Sequence, residues 1–298
     1  MVKAESPLLF YLEIHIDDFS FESHKRRGEP FNEQKVFENV TYILNRLNDS
    51  LEQYGARANF MFREHYPKKC LIYQDAADNT LLTLEKAGNE VGCHCHGSRL
   101  QECFEAVRKC GIKKPRSICP GVIIHLRQGD TKSPQVLTFF REVENLGFKV
   151  CFDGFYKGGK EGIQRIWRPS ATDIWVHDPK GKVVAMNIAL TPMDWGMIEF
   201  GRGWRLNQVD YVTRKNFERV IALFQRALSK VESNKVNYFG ISFHEHQFAT
   251  DDFNTVTPVE EAFENIEYLL GELEPYVKEG KDAYSTFTEI YNAYLEYE

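Results

Sequence analysis

The sequence predicts an α/β fold in which short buried strands alternate with amphipathic helices around a mostly parallel sheet. Apolar residues recur at helical spacing in the longer segments, short apolar runs lie between them, and a glycine follows several of the predicted helices. This alternation is typical of parallel strands joined by right-handed crossovers. Roughly seven strand–helix units suit a barrel, and a doubly wound open sheet is the alternative that periodicity leaves open.

The predicted elements follow one another without a linker or an internal repeat, so we expect residues 1–298 to form one domain. The first strand covers Leu8–Ile16, and a helix over Asn32–Tyr54 ends before Gly55. Further strands are predicted at 56–62, 90–95, 116–124, 148–152, 183–190 and 238–243. Further helices are predicted at 79–87, 100–110, 134–146, 214–231, 258–278 and 286–297.

Charge and composition argue against several classes of protein. The net charge of −6 lacks the basic excess of a nucleic-acid-binding surface. Apolar runs are much shorter than the roughly 20 residues of a membrane helix, and no secretory signal precedes the first strand. An odd number of cysteines in a chain large enough to fold without cross-links favours reduced thiols. We therefore expect a cytoplasmic protein, with homo-oligomerisation left open.

Polar residues follow or end three of the predicted strands. Asp17 and Asp18 come after the first strand, His94 and His96 lie around the end of the third, and His244 follows a late strand. The carboxyl ends of parallel strands meet on one face, and adjacent carboxylates there need partners or a cation. Two histidines spaced i, i+2 on a strand face the same side and can bind one ion. A solvated turn would explain a lone Asp-Asp pair, but the recurrence favours a metal-assisted hydrolytic site.

The order of these motifs resembles the polysaccharide deacetylase family, also called the NodB-homology or carbohydrate esterase 4 group. The resemblance extends from about Leu8 to Tyr294. Besides the acidic pair, it is carried by the segments Gly55–Phe62, Gly88–His94, Pro120–Gly121, Leu146–Phe148 and Phe243–His244. It implies a distorted (β/α)7 barrel that binds a divalent metal, most often zinc.

The resemblance also implies a role for each matched residue. Asp17 would be the general base, Asp18 and His94 metal ligands, and His244 the general acid that protonates the leaving amine. The metal would supply a Lewis acid that polarises the amide carbonyl. The implied reaction is removal of an acetyl or formyl group from the nitrogen of a sugar-derived substrate. For a cytoplasmic chain, that substrate would be a precursor of a surface polysaccharide.

Three positions depart from the family pattern. Ser98 stands where the family has its second metal histidine, so we predict that His96 replaces it, with His246 or a water as the other choices. Phe19 replaces the glycine after the acidic pair, and Ile118 replaces an arginine that orients the base. Two alternatives therefore stay open: another C–N amidohydrolase of the allantoinase type on the same fold, and a catalytically inactive relative that binds carbohydrate or metal.

Overall fold

The computed structural model describes residues 7–16, 32–95, 99–120, 132–152, 166–186, 212–248 and 259–298. Within these ranges one sheet contains the strands β1 (Leu8–Ile16), β2 (Asn59–Phe62), β3 (Glu90–His94), β4 (Ser117–Cys119), β5 (Val150–Phe152), β6 (Ile166–Trp167), β7 (Val184–Met186), β8 (Tyr238–His244) and β9 (Asp282–Tyr284). The described helices are α1 (Glu33–Gln53), α2 (His65–Tyr73), α3 (Thr80–Lys86), α4 (Leu100–Lys109), α5 (Pro134–Leu146), α6 (Arg214–Leu228), α7 (Val259–Lys278) and α8 (Phe287–Tyr297).

The order of the strands is that of a barrel. Neighbouring strands run β6–β7–β5–β4–β3–β2–β1–β8, and β9 pairs with the beginning of β1. All described pairs are parallel except β6–β7. From β1 to β5 consecutive strands lie side by side, β7 follows β5, and β8 pairs with the other edge of β1, which is the order of a barrel with β6 added outside β7. A doubly wound sheet would reverse its strand order at a switch point. The distorted (β/α)7 barrel predicted from the sequence is therefore confirmed as the fold.

The two faces of the sheet bury separate apolar clusters. Side chains of Phe10, Leu12 and Ile14 pack on the outer face against the helices. The inner face carries a second cluster, formed by Tyr11, Met61, Cys119, Val150, Phe152, Val184, Met186, Tyr238, Phe287 and Ile290. Because successive side chains of a strand point to opposite faces, Glu13 and His15 of β1 belong to the inner face.

Helix α8 packs against the amino-terminal ends of the strands. A capping box between Thr286 and Glu289 starts the helix. The Phe287 backbone N–H donates to Asn59 Oδ1 at 2.7 Å, at the first residue of β2. The Phe287 ring stacks on Phe152 inside the barrel at 4.3 Å between centroids. Phe287 thus packs among aromatic side chains of the barrel interior, whereas His15, His94 and His244 lie at or near the carboxyl ends of their strands.

The predicted helices and strands agree with the structure to within a few residues wherever it describes them. The sequence did not predict α2, β6 or β9. The seven cysteines are buried and form no disulfide, as expected from their odd number. Among the residues that the structure describes, we find no helix with the length and apolarity of a membrane span.

Candidate active site

Four strands bring polar residues together at their carboxyl ends. His94 ends β3, and His244 ends β8. His15, next to last in β1, pairs in register with His244. His94 pairs in register with Cys119 of β4. The pairing of the sheet therefore places three imidazoles and one thiol at a single location, which we call the carboxyl-end rim.

The three imidazoles are in contact. The rings of His15 and His94 stack with centroids 4.3 Å apart and planes at 23°. The ring of His244 meets that of His15 edge-on, at 4.9 Å and 88°. All three residues are buried. Imidazole is the commonest metal ligand in proteins, so this group of rings has the chemistry of a metal or proton-transfer site.

A buried carboxylate lies behind the imidazoles. Glu13 Oε1 lies 2.9 Å from His15 Nε2, and the Ser242 hydroxyl donates a hydrogen bond to the other carboxylate oxygen. Burial alone would raise the pKa of Glu13. The attraction of His15, the hydrogen bond from Ser242, and the attraction of His94 together hold that pKa below its ordinary value. Glu13 is therefore ionised and can orient the His15 ring.

A possible set of metal-binding side chains lies at the carboxyl-end rim. Among the described residues, His15, His94 and Cys119 each offer one ligand atom, and these atoms lie within 4.8 Å of one another. All three residues are buried. Imidazole nitrogen and thiolate sulfur are the usual ligands of zinc. The donor set therefore fits the divalent metal that the family resemblance implies.

The turn after β8 holds the last residue of that strand. Glu245–Phe248 form a 3-10 helix, and Gln247 Oε1 accepts a hydrogen bond of 2.7 Å from the His244 backbone N–H. Glu245 and Gln247 are themselves buried. The backbone that carries His244 is thus anchored by a hydrogen bond to this turn.

The structure brings together two of the five predicted site residues. His94 and His244 both contact His15. Asp17, Asp18 and His96 lie outside the described residues, so their roles stay predictions. Asp17 directly follows the last residue of β1, and His96 is two residues after the end of β3.

Sequence reasoning missed Glu13, His15 and Cys119. One signal was present, because Glu13 and His15 alternate with apolar residues in an otherwise hydrophobic strand and must share a face. No local signal marks Cys119. Its neighbour Ile118, at the position of the family arginine, packs in the outer cluster against the helices. Strand β4 therefore presents a thiol to the interior at the level of His94.

Comparison with known proteins gives similarity in structure but not in sequence. No protein-family model matches the chain, and no curated protein matches it. A "putative polysaccharide deacetylase" from Mycobacterium smegmatis superposes with a TM-score of 0.54 at 10% identity, covering 99% of this chain and 93% of that one. The 4-alpha-glucanotransferase from Thermococcus litoralis gives 0.53 at 14% identity, covering 96% and 40%. A family 4 carbohydrate esterase from Streptomyces lividans gives 0.42 at 11%, covering 95% and 94%.

Likeness at such low identity concerns the fold. The two neighbours with nearly equal TM-scores are named for different reactions, so the fold does not by itself select the chemistry. The chemistry therefore has to be inferred from the residues at the carboxyl-end rim. The chain has the fold of the polysaccharide deacetylases, and the resemblance predicted from its sequence is confirmed at that level.

Proposed function

We propose that this protein is a metal-dependent amide hydrolase that removes an acetyl or formyl group from the nitrogen of a sugar-derived substrate. The observation that carries the proposal is the convergence of His94 and His244 on one buried group of imidazoles. Both residues were selected from the sequence as a metal ligand and a general acid. They lie at the end of the barrel where β1 leads into Asp17 and Asp18.

The proposed reaction divides its steps among the residues of this chain. A bound divalent metal would supply a Lewis acid for the acyl carbonyl. Asp18 and His94 would hold the metal, with His96 as the predicted third ligand. Asp17 would accept the proton of the attacking water as the C–O bond forms. A protonated ring nitrogen of His244 would donate its proton to the amine as the C–N bond breaks, releasing a carboxylic acid and a free amine.

The surroundings of the imidazoles support this division of roles. The ring of His15 contacts both His94 and His244, so the proposed ligand and acid are separated by one ring. The proposed acid, His244, is buried, which limits its contact with water. The hydrogen bond from the His244 backbone to Gln247 holds the main chain that carries this imidazole.

The proposed substrate is a carbohydrate. The two neighbours named above with TM-scores of 0.54 and 0.53 are named for reactions of carbohydrates, although those names belong to the neighbours. With the cytoplasmic location expected from the sequence, the proposed substrate is an N-acylated sugar nucleotide or a lipid-linked sugar. Such a molecule presents the amide on a small head group that can enter the end of a barrel.

The proposal is tested by acetate release from N-acetylated sugar nucleotides by the purified, metal-loaded protein. Asp17→Asn should retain the metal and lose turnover, since the amide cannot accept a proton. Asp18→Ala should lose both metal and turnover. Asp49→Asn, on the exposed side of α1, is the matched control and should behave like the wild type. A wild-type rate in Asp17→Asn would exclude its role as base.

The same assay separates the two alternatives. Ammonia release from allantoin-like ureides, without acetate release from the sugars, would indicate the other class of C–N amidohydrolase. A chain that binds metal but turns over neither class of compound would be the inactive binding relative. Ile118 is buried in the outer cluster, so no arginine from that position reaches the interior. This observation favours the inactive relative as an alternative.

A further inference from the structure

We propose that His15, His94 and Cys119 form a thiolate-containing metal site at the carboxyl-end rim. The site would take a zinc-like ion in preference to magnesium or calcium. This inference rests on the proposed function in one respect, because it shares His94 with the ligand set of that proposal. It differs in the other donors, which come from β1 and β4.

The register of the sheet holds the three donors on the same side. Cys119 is the direct partner of His94 across β3 and β4, and His15 stacks on His94 from β1. Their ligand atoms lie within 4.8 Å of one another. A tetrahedral site with bonds of about 2.0 Å to nitrogen and about 2.3 Å to sulfur holds its ligand atoms roughly 3.3–3.6 Å apart. Since these atoms are within 4.8 Å, the three side chains would have to approach one another by at most about 1–1.5 Å, with the stacked rings turning toward the ion, to supply three of its four ligands.

Glu13 and Ser242 form the outer layer that such a site requires. Metal-binding histidines usually donate their other ring N–H to a carboxylate, which fixes the ring and its tautomer. Glu13 lies against His15 Nε2 and receives a hydrogen bond from Ser242 on its other oxygen. This arrangement assigns Nδ1 of His15 to the ion. A bound ion would therefore explain why Glu13 and Ser242 lie in the apolar interior.

The position of Cys119 separates it from the other cysteines. Six cysteines pack in the outer cluster among the helices, namely Cys70, Cys93, Cys95, Cys103, Cys110 and Cys151. Cys119 lies in the inner cluster beside two imidazoles. A bound metal deprotonates a coordinating thiol, so ion binding at this site would release a proton from Cys119. Thiolate is a soft ligand that selects zinc or cobalt over magnesium and calcium.

The inference has a direct spectroscopic test. The metal-free full-length protein is titrated with Co²⁺, and the absorption spectrum is recorded. We expect about one ion per chain and a thiolate-to-cobalt charge-transfer band in the near ultraviolet. Cys119→Ser and Cys119→Ala should lose that band. Cys151→Ser, a buried cysteine on the next strand but in the outer cluster, should keep it.

Two further variants test the nitrogen ligand and its support. His15→Ala should weaken Co²⁺ binding by at least tenfold, and Glu13→Gln should weaken it about 10–100-fold through the loss of the orienting carboxylate. Circular dichroism of each metal-free variant establishes that it has folded. If Cys119→Ser does not fold, Cys119→Ala provides the same spectroscopic readout.

The outcomes distinguish this inference from the proposed function. A charge-transfer band that persists in both Cys119 variants would overturn the inference, because another thiolate would then bind the ion. A wild-type complex without the band would overturn the inference and leave the ligand set of Asp18, His94 and His96 standing. The inference would be supported if only the Cys119 variants lose the band, while Asp18→Ala and His96→Ala bind Co²⁺ fully and keep the band unchanged. The same result would overturn the ligand set of Asp18, His94 and His96. A wild-type protein that binds no Co²⁺ would overturn both.

Discussion

Asp282 gives a quantitative prediction about the stability of the fold. It opens β9, is only 2% exposed, and neither of its carboxylate oxygens has a hydrogen bond of good geometry among the described residues. Burial raises the pKa of Asp282 to about 8, against a smaller opposing effect of the Ala283 backbone N–H. We therefore expect the folded chain to keep this carboxyl protonated at neutral pH, whereas the unfolded chain ionises it.

The difference in protonation makes stability fall as the pH rises. Between the ordinary value of 3.8 and the folded value of about 8, the native state binds more protons than the unfolded state. Each unit in this window removes up to about 1.4 kcal/mol from the free energy of unfolding. The loss levels off above the folded pKa. Between pH 5 and pH 9, this one group should therefore remove about 4 kcal/mol.

The assay is urea unfolding at pH 5, 7 and 9, followed by circular dichroism. The amide side chain of the Asp282→Asn variant cannot ionise. The free energy of unfolding of this variant, relative to that of the wild type, should therefore increase by about 4 kcal/mol from pH 5 to pH 9. Asp49→Asn, exposed on α1, is the matched control and should follow the wild-type pH dependence. If Asp282→Asn and the wild type lose stability in parallel across this range, the carboxyl is not held protonated by burial.

Two further substitutions test how the barrel is packed. Gly240→Ala should destabilise the fold by about 3 kcal/mol or more, because the added methyl would overlap the carbonyl oxygen and ring of Tyr11 on the neighbouring strand. Gly271→Ala is the control in a helix, where the added methyl would meet only the Tyr54 ring at ordinary van der Waals distance, and it should be stabilising by about 0.5–1 kcal/mol in the same urea titration. Asn59→Ala should lower the free energy of unfolding by about 2–4 kcal/mol, because the Asn59 side chain joins β1 to the start of α8 through buried hydrogen bonds of 3.0 and 2.7 Å. The control is Asn292→Ala at an exposed position. Equal effects of the two substitutions would show that these hydrogen bonds do not stabilise the fold.

The elements that could be predicted from the sequence carry their own local signals. Helix α5 is the clearest case, because Ser133 caps it, Pro134 occupies its first turn, and Gly147 ends it in the left-handed conformation at φ 86°. Strand β1 is apolar except for Glu13 and His15, and it has the predicted bounds. These segments would form similar elements in many folds. The organisation as one domain and the oligomeric state stay predictions.

The elements that the sequence did not predict depend on their surroundings. Helix α2 contains Pro67 and buries only three residues, so it has no apolar stripe to reveal it. Strand β9 is three residues long and begins with an acidic residue. It pairs with β1, far away in the chain, and this pairing makes it a strand. A short segment stabilised by such a pairing has no local signature.

The candidate site also contains residues that could be predicted from the sequence and residues that could not. His94 and His244 could be predicted because each ends a strand, and strand ends converge in parallel α/β folds. Cys119 could not be predicted, because it faces His94 only through the register of β3 with β4. His15 required knowing that the inner face of β1 is polar at its carboxyl end. Periodicity can assign a residue to a face, but only the sheet pairing determines its neighbours.

The central claim is that His94 binds a catalytic cation at the carboxyl-end rim, and one calorimetric measurement tests it most directly. Metal-free wild-type protein titrated with Zn²⁺ should bind about one ion per chain, and His94→Ala should lose that binding. Exposed His177→Ala should bind like the wild type. Equal zinc binding by the wild type and His94→Ala, or none by either, would contradict the claim.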